Sequence, residues 1–353
     1  MNKLTKVGLS ALCGSLAAVS AANAGELDVT GGATATWTSN EGTTAGNPIG
    51  LSSGILFKGT GELDNGTTFV LSLSDTDQSA YSVGSITLTT PSMGEFKISQ
   101  ATGGVGIDVK DDDMPTAWEE TDGTGLTVGH DKISGVGGSM ALQWKSPSIA
   151  GSTIAFAYAP ANNGTLNNDK GTSAATANQR SQKGWDVLLD INTGHAGYFP
   201  NVFVGYSNTQ QDQDNKTAGA NLDGQTDHEE GVVGATFVVG PAKFGAQASI
   251  EWLGNEQLHT AVAGYQNVAY GVSFNISDNL AVSWGKNTSK KGFVGEDTTD
   301  TSTITGDAES LQLSYTIGGA SIKIADTSVD NMSYTSTSAA DRDGTTVAVS
   351  LAF

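Results

Sequence analysis

The chain has 353 residues, with 37 Asp and Glu against 17 Lys and Arg, a net charge of −20 and a mean hydropathy of −0.18. A surface so acidic repels nucleic acid, which excludes that class of partner. Cys13 is the sole cysteine, so a disulfide framework and a cysteine metal site are excluded as well.

Residues 1–24 read as an export leader outside the fold. Lys3 and Lys6 give a positive start, Val7 to Ala21 an apolar stretch, and Ala22-Asn23-Ala24 a small-x-small cleavage site after Ala24. The apolar run is too short to span a bilayer as a helix. Cys13 follows the bulky Leu12, where a lipidation signal wants a small residue. Losing the leader removes two lysines and no acid, which deepens the charge from −20 to −22.

Residues 25–353 read as one domain of alternating strands. Leu27, Val29, Ala33, Ala35 and Trp37 share one face of the first, and a Gly/Thr/Asn loop spans Asn40 to Pro48. Ile55 and Phe57 then lead through the tight turn Asp64-Asn65-Gly66 to Phe69, Leu71 and Leu73. Ile86 and Leu88 run to the turn Pro91–Gly94, and Phe96 and Ile98 return. A departure with little alternation covers Ala101 to Gly137.

Strands resume at Met140–Trp144, turn at Pro147–Gly151 and return through Ile154–Tyr158. A polar loop precedes Trp185–Ile191, and a turn through Gly194–Pro200 leads to Val202–Tyr206. The pattern continues after the acidic loop Gln211–Glu229 with short turns at Gly240-Pro241, Ser277–Asn279 and Gly318-Gly319. Loops at Lys290–Gly306 and Asn331–Arg342 separate the last strands. Val347, Val349, Leu351 and Phe353 close the chain on one oily face.

After the leader no apolar run reaches the ~18–20 residues of a spanning helix. An exported chain this polar can still cross a membrane if every other residue faces water, which only a closed β-barrel allows. The reading is all-β: a transmembrane antiparallel β-barrel of about 16 strands, with short turns at one end and long loops at the other. A secreted β-sandwich, β-helix or adhesin is the alternative; it predicts less regular loop lengths and no terminal aromatic.

The stretch Leu51–Phe69 resembles Gram-negative outer-membrane general porins, particularly the α-proteobacterial type. Ile86–Ser99 followed by a long acidic loop is similar to that family's strand pair before its constriction loop. Phe353 is similar to its assembly signal. The resemblance implies a homotrimeric sixteen-stranded outer-membrane channel whose third loop folds into the pore, passing small hydrophilic solutes and ions among outer-membrane lipids. A substrate-selective channel is a rival; it would want a ladder of basic or aromatic residues along the lumen, and none is visible.

Such a pore needs an internal narrowing and a charge pattern across it. The long departure supplies the acids Asp108, Asp111, Asp112, Asp113, Glu119, Glu120 and Asp122, relieved by Lys110 and Lys132. If Phe57, Phe96 and Trp144 face lipid, parity turns Lys58, Lys97 and Lys145 inward, with Lys243 and Lys323. The family's arginine cluster is missing: Arg180 and Arg342 are the only arginines, and both read as loop residues. The acid excess predicts cation preference. Trp37, Trp144, Trp185, Trp252, Trp284, Tyr158, Tyr206 and Tyr265 read as interfacial girdles.

No nucleophile motif supports an enzyme, and no cofactor is expected. His228-Glu229-Glu230 reads as a solvated strand entrance rather than a metal site. Asp111–Asp113, or Asp297 with Asp300, could hold Ca2+ through oxygen ligands, but no EF-hand spacing is present and calcium is left unassigned.

Overall fold

A computed structural model describes residues 25–39, 47–77, 79–100, 106–111, 113–137, 139–162, 181–192, 201–211, 226–254, 262–294 and 303–353. The leader, Asp112, Arg180, the Gly194–Pro200 turn and the Asp297/Asp300 pair lie outside these residues.

The strands are β1 (Glu26–Thr38), β2 (Ile49–Glu62), β3 (Thr68–Thr76), β4 (Ser79–Thr90), β5 (Gly94–Gln100), β6 (Ala141–Lys145), β7 (Thr153–Ala159) and β8 (Ser181–Asn192). They continue as β9 (Asn201–Gln211), β10 (His228–Val239), β11 (Ala242–Trp252), β12 (Val262–Ser277), β13 (Leu280–Phe293), β14 (Ile304–Ile317), β15 (Ala320–Asp330) and β16 (Arg342–Ala352). Each pairs antiparallel with its chain neighbours, and β16 pairs back onto β1, closing a barrel of sixteen strands. Closure removes the open edges that a bilayer cannot satisfy.

The period-two pattern sets the two faces. Leu27, Val29, Phe57, Leu71, Ile86, Phe96, Val349 and Leu351 stand exposed on the outside, Leu351 at 62%. Their neighbours Ala348, Thr346, Ser99 and Gln143 are buried toward the interior. An outer apolar belt on a closed barrel suits acyl chains, and a soluble sandwich would turn that face into a core.

The seam holds at its last residue. Phe353 donates its N–H to Gly31 O at 2.9 Å and accepts the Gly31 N–H at 3.2 Å. Its ring lies over Gly31, where a Cβ would sit 3.0 Å from the ring and 2.8 Å from Gly54 O. Gly31→Val is therefore expected to push the ring aside and destabilise the barrel by about 1–3 kcal/mol, read as a lower urea midpoint in detergent.

Two expectations need correction. Long loops were expected at one end throughout, yet residues 77–78 alone join β3 and β4. Asp77 makes this tight connection by taking φ 57 and exchanging bonds with Ser53, donating its N–H at 2.7 Å and accepting at Oδ1 at 2.8 Å. The Lys290–Gly306 loop is also shorter than expected, because β13 runs on to Phe293 and β14 starts at Ile304. There, polar outward residues sustain the ladder: Lys286 pairs with Asp307 at 3.4 Å and Thr288 bonds Asp307 as well.

Candidate functional site: the barrel interior

The inner face departs from simple polarity in one sector. Ala141, Ala155, Ala157, Ala159, Leu188, Phe203 and Val232, on β6–β10, are apolar, inward and buried. What covers them is the segment between β5 and β6, here the internal loop. Its Ile107 and Ile133 pack with Ala155, Leu188, Phe203 and Val232, and its Val136 packs with Ala141, Ala157 and Ala159. Leu126 and Val128 pack on Ala308, Val329 and Met332 further round. One side of the interior is thus a small apolar core.

Polar contacts trace the loop along that wall. Lys110, the last residue of the short 3-10 turn Ile107–Lys110, pairs with Asp113 at 2.8 Å and with Asp190 of β8 at 3.1 Å, its ammonium 4.5 Å from the Phe203 ring centroid. Burial alone would lower the Lys110 pKa, but the two carboxylates outweigh it and hold the ammonium above its ordinary value. Gln247 of β11 donates to Lys110 O, and Ser283 of β13 accepts from the Ala117 N–H at 2.7 Å. Gln312 of β14 accepts from the Trp118 and Glu119 N–H groups, both at 3.1 Å, and donates to Glu119 O at 2.6 Å. Thr124 meets Thr327 of β15 at 2.7 Å.

The loop then returns toward its start. His130 bonds Asn287 of β13 at 2.8 Å, and Asn267 of β12 donates to Asp131 O at 2.9 Å. Three consecutive amides are held by two wall carboxylates. Ser134 and Gly135 donate to Glu230 of β10, and Val136 donates to Asp186 of β8 at 3.1 Å. Both carboxylates are buried, Asp186 at 0% exposure and Glu230 at 3%. Gly106 and Gly135 leave room for Asp186, since a Cβ at either would run into its carboxylate.

The connection 331–341 clamps this return pass. Asn331, Ser333 and Tyr334 take φ of 53, 52 and 58, a conformation that costs non-glycine residues free energy. In return the Tyr334 hydroxyl reaches Ser289 at 2.7 Å and accepts the Asp131 N–H at 2.8 Å, while Ser333 donates to Val128 O at 2.9 Å.

Of the acids singled out from sequence, Asp108, Asp111, Asp113, Glu119, Glu120 and Asp122 all sit on this internal loop; Asp112 is outside the described residues. Asp113 is engaged by Lys110, and Asp122 by Lys132 at 2.9 Å. Lys58, Lys97 and Lys145 occupy the inward parity of β2, β5 and β6, nearer the short-turn end, cross-strand from Asp28, Gln143 and Glu95. Lys323 is inward on β15, 5.8 Å from the Trp118 ring centroid.

The inner face of β1–β5, across from the packed wall, is more open and polar apart from Leu56 and Val70. Asp28 and Thr30 are exposed, and Thr34, Thr36, Ser72, Ser85 and Thr87 are half-buried.

Three readings change. Arg342 is no loop residue but opens β16 at an inward position, because the ladder to Val329 starts there. Tyr265 is buried inside against Tyr334, ring centroids 5.2 Å apart, not in an outer girdle. The run at 228–230 splits by parity. Glu229 points out to the Tyr206 hydroxyl at 2.7 Å, while His228 and Glu230 point in. Asp186 and Glu230 were missed as loop anchors; the signal was an acid at inward parity within a strand, Asp186 in the middle of β8 and Glu230 near the start of β10.

His130 gives the docked loop a pH dependence. Burial lowers its pKa below the usual histidine value, against the pull of the Asn287 bond. Between about 6.5 and its lowered value, the detached loop binds a proton that the docked loop refuses, so docking weakens as pH falls below about 6.5. Hydrogen-exchange protection of the loop amides is expected to fall over that window and to lose the dependence in His130→Gln.

No protein-family model matches the sequence, and no curated protein does. Solved structures do. An anion-selective porin from Comamonas acidovorans is 13% identical, with a TM-score of 0.63 over 93% of this chain and 100% of that one. OmpT of Vibrio cholerae, an outer membrane protein solved in a trimer form, is 12% identical with a TM-score of 0.61, over 94% and 100%. OmpF of Salmonella typhi, solved with daunomycin, is 14% identical with a TM-score of 0.62, over 93% and 97%. At these identities the likeness is one of fold.

Proposed function

We propose that the chain is an outer-membrane porin, exported by its residues 1–24 and forming a water-filled channel for passive diffusion of small hydrophilic solutes and ions. The observation that carries this is the asymmetric interior. A sixteen-strand barrel is wide enough for an aqueous lumen, and the internal loop packs on β6–β15 while β1–β5 keep a polar inner face. Solute passes between the two. The proposed channel catalyses nothing and requires no cofactor.

Cation preference is part of the proposal. The loop carries Asp108, Asp111, Asp113, Glu119, Glu120, Asp122 and Asp131 against Lys110 and Lys132, and charge along a narrowing sets ion preference. Lys58 and Lys97 on the facing wall, with Lys145 at the edge of the packed one, complete a transverse field. A homotrimer is proposed as well: outward Gly31, Ala33, Ala35 and Ser53 near the seam are small enough for another subunit to approach closely.

Planar-bilayer recording under a KCl gradient tests the reading. Expected are conductance in steps of three and a reversal potential favouring K+, reduced in Glu119→Gln/Glu120→Gln. Absence of ion-conducting steps would end the channel reading; a chloride-favouring potential would end the selectivity.

A further inference from the structure

His228, Glu230 and Glu251 meet on the inner wall, where β10 begins and β11 ends. His228 and Glu230 are two apart on one strand and so share its inner face. Glu251 is the cross-strand partner of Glu230. Two carboxylates directly opposed repel each other, and here both are buried, at 3% and 9% exposure. A cation between them would relieve that repulsion.

The separations suit a metal ion. His228 Nε2 lies 3.0 Å from Glu251 Oε1 and 3.8 Å from Glu230 Oε1. Ligand atoms of a tetrahedral Zn2+ shell, at bonds of ~2.1 Å, stand about 3.4 Å apart. The two separations bracket that figure, and one ligand atom from each of the three side chains lies within 4.8 Å of the others. An imidazole with two carboxylates suits Zn2+ and its neighbours better than Ca2+ or Mg2+, which take oxygen shells.

We infer that His228, Glu230 and Glu251 form a binding site for a divalent transition metal of the Zn2+ class, with its remaining position open to lumen water. The His228 side chain is 21% exposed, so the ion arrives through the interior. The Ser134 and Gly135 N–H groups orient the Glu230 carboxylate as an outer shell does. Through them, metal occupancy is tied to the position of the internal loop. The site rests on wall geometry alone and holds whether or not the barrel conducts.

Calorimetric titration of chelator-treated, untagged barrel in detergent with ZnCl2 tests this. One Zn2+ per chain is expected, and a large excess of Ca2+ should fail to displace it. His228→Ala and Glu251→Gln, shown to be folded by heat-modifiable gel migration, should each lose more affinity than the roughly 10–100-fold that outer-shell substitutions cost. No Zn2+ uptake by the unmodified protein, or undiminished affinity in folded His228→Ala, would leave only a hydrogen-bonded histidine–carboxylate cluster, and displacement by Ca2+ would leave an oxygen-ligand site instead; each overturns the inference.

Discussion

Glu230→Leu is expected to release the return pass of the internal loop and raise single-channel conductance well above that of the unmodified barrel. Glu230 is the acceptor for two successive amides, Ser134 and Gly135, in a buried setting. Leucine fills similar space but leaves both donors without that acceptor, at about 1–3 kcal/mol each. Two such losses match what burying Ile133 and Val136 contributes to holding the stretch, about 1.5–3 kcal/mol each. Glu230→Gln keeps one amide oxygen as acceptor and should produce a smaller rise. The strand ladder is untouched, so both variants should keep heat-modifiable migration. A Glu230→Leu channel with ordinary conductance and quiet current would show that the loop is held by other means.

Removal of residues 342–353 should have the larger consequence: no closed barrel at all. β16 pairs with β15 from Val329↔Arg342 to Ala320↔Leu351, and with β1 from Thr38↔Thr346 to Gly32↔Ala352. Without it two strand edges face lipid, and each unsatisfied backbone group there costs several kcal/mol. Phe353→Ala keeps the backbone pair with Gly31 and loses only the ring, so it should lower the yield of folded barrel without abolishing it. The truncated chain is expected to migrate as unfolded and to be cleaved by trypsin; a resistant, heat-modifiable product would contradict the seam as described. The single-residue variant also separates the ring's part in assembly from that of strand pairing.

The barrel was legible because its signal is local. Val347, Val349 and Leu351 alternate with Ala348 and Ser350 whatever the rest of the chain does, and alternation fixes which face meets lipid. The loop's route was not legible. It depends on partners such as Gln312, far along the chain from Trp118, and no periodicity announces such a pair. Residue type misled as well: apolar Phe203 and Leu188 at inward positions look like breaks in a pore wall until Ile107 and Ile133 are seen to cover them. At 228–230, adjacent acids looked alike, yet parity sends Glu229 out and Glu230 in. The tight β3–β4 connection was hidden because Asp77 bonds Ser53 on a different strand.

The internal loop leans on strands that come after it in the chain, from β6 to β15. Until those strands have paired, the wall that will shelter residues 106–139 does not exist. Assembly must therefore be ordered like a model ship in its bottle, with the insert laid against the growing curve before β16 docks on β1 and shuts the hull. A chain that sealed early would leave its oily insert exposed to water.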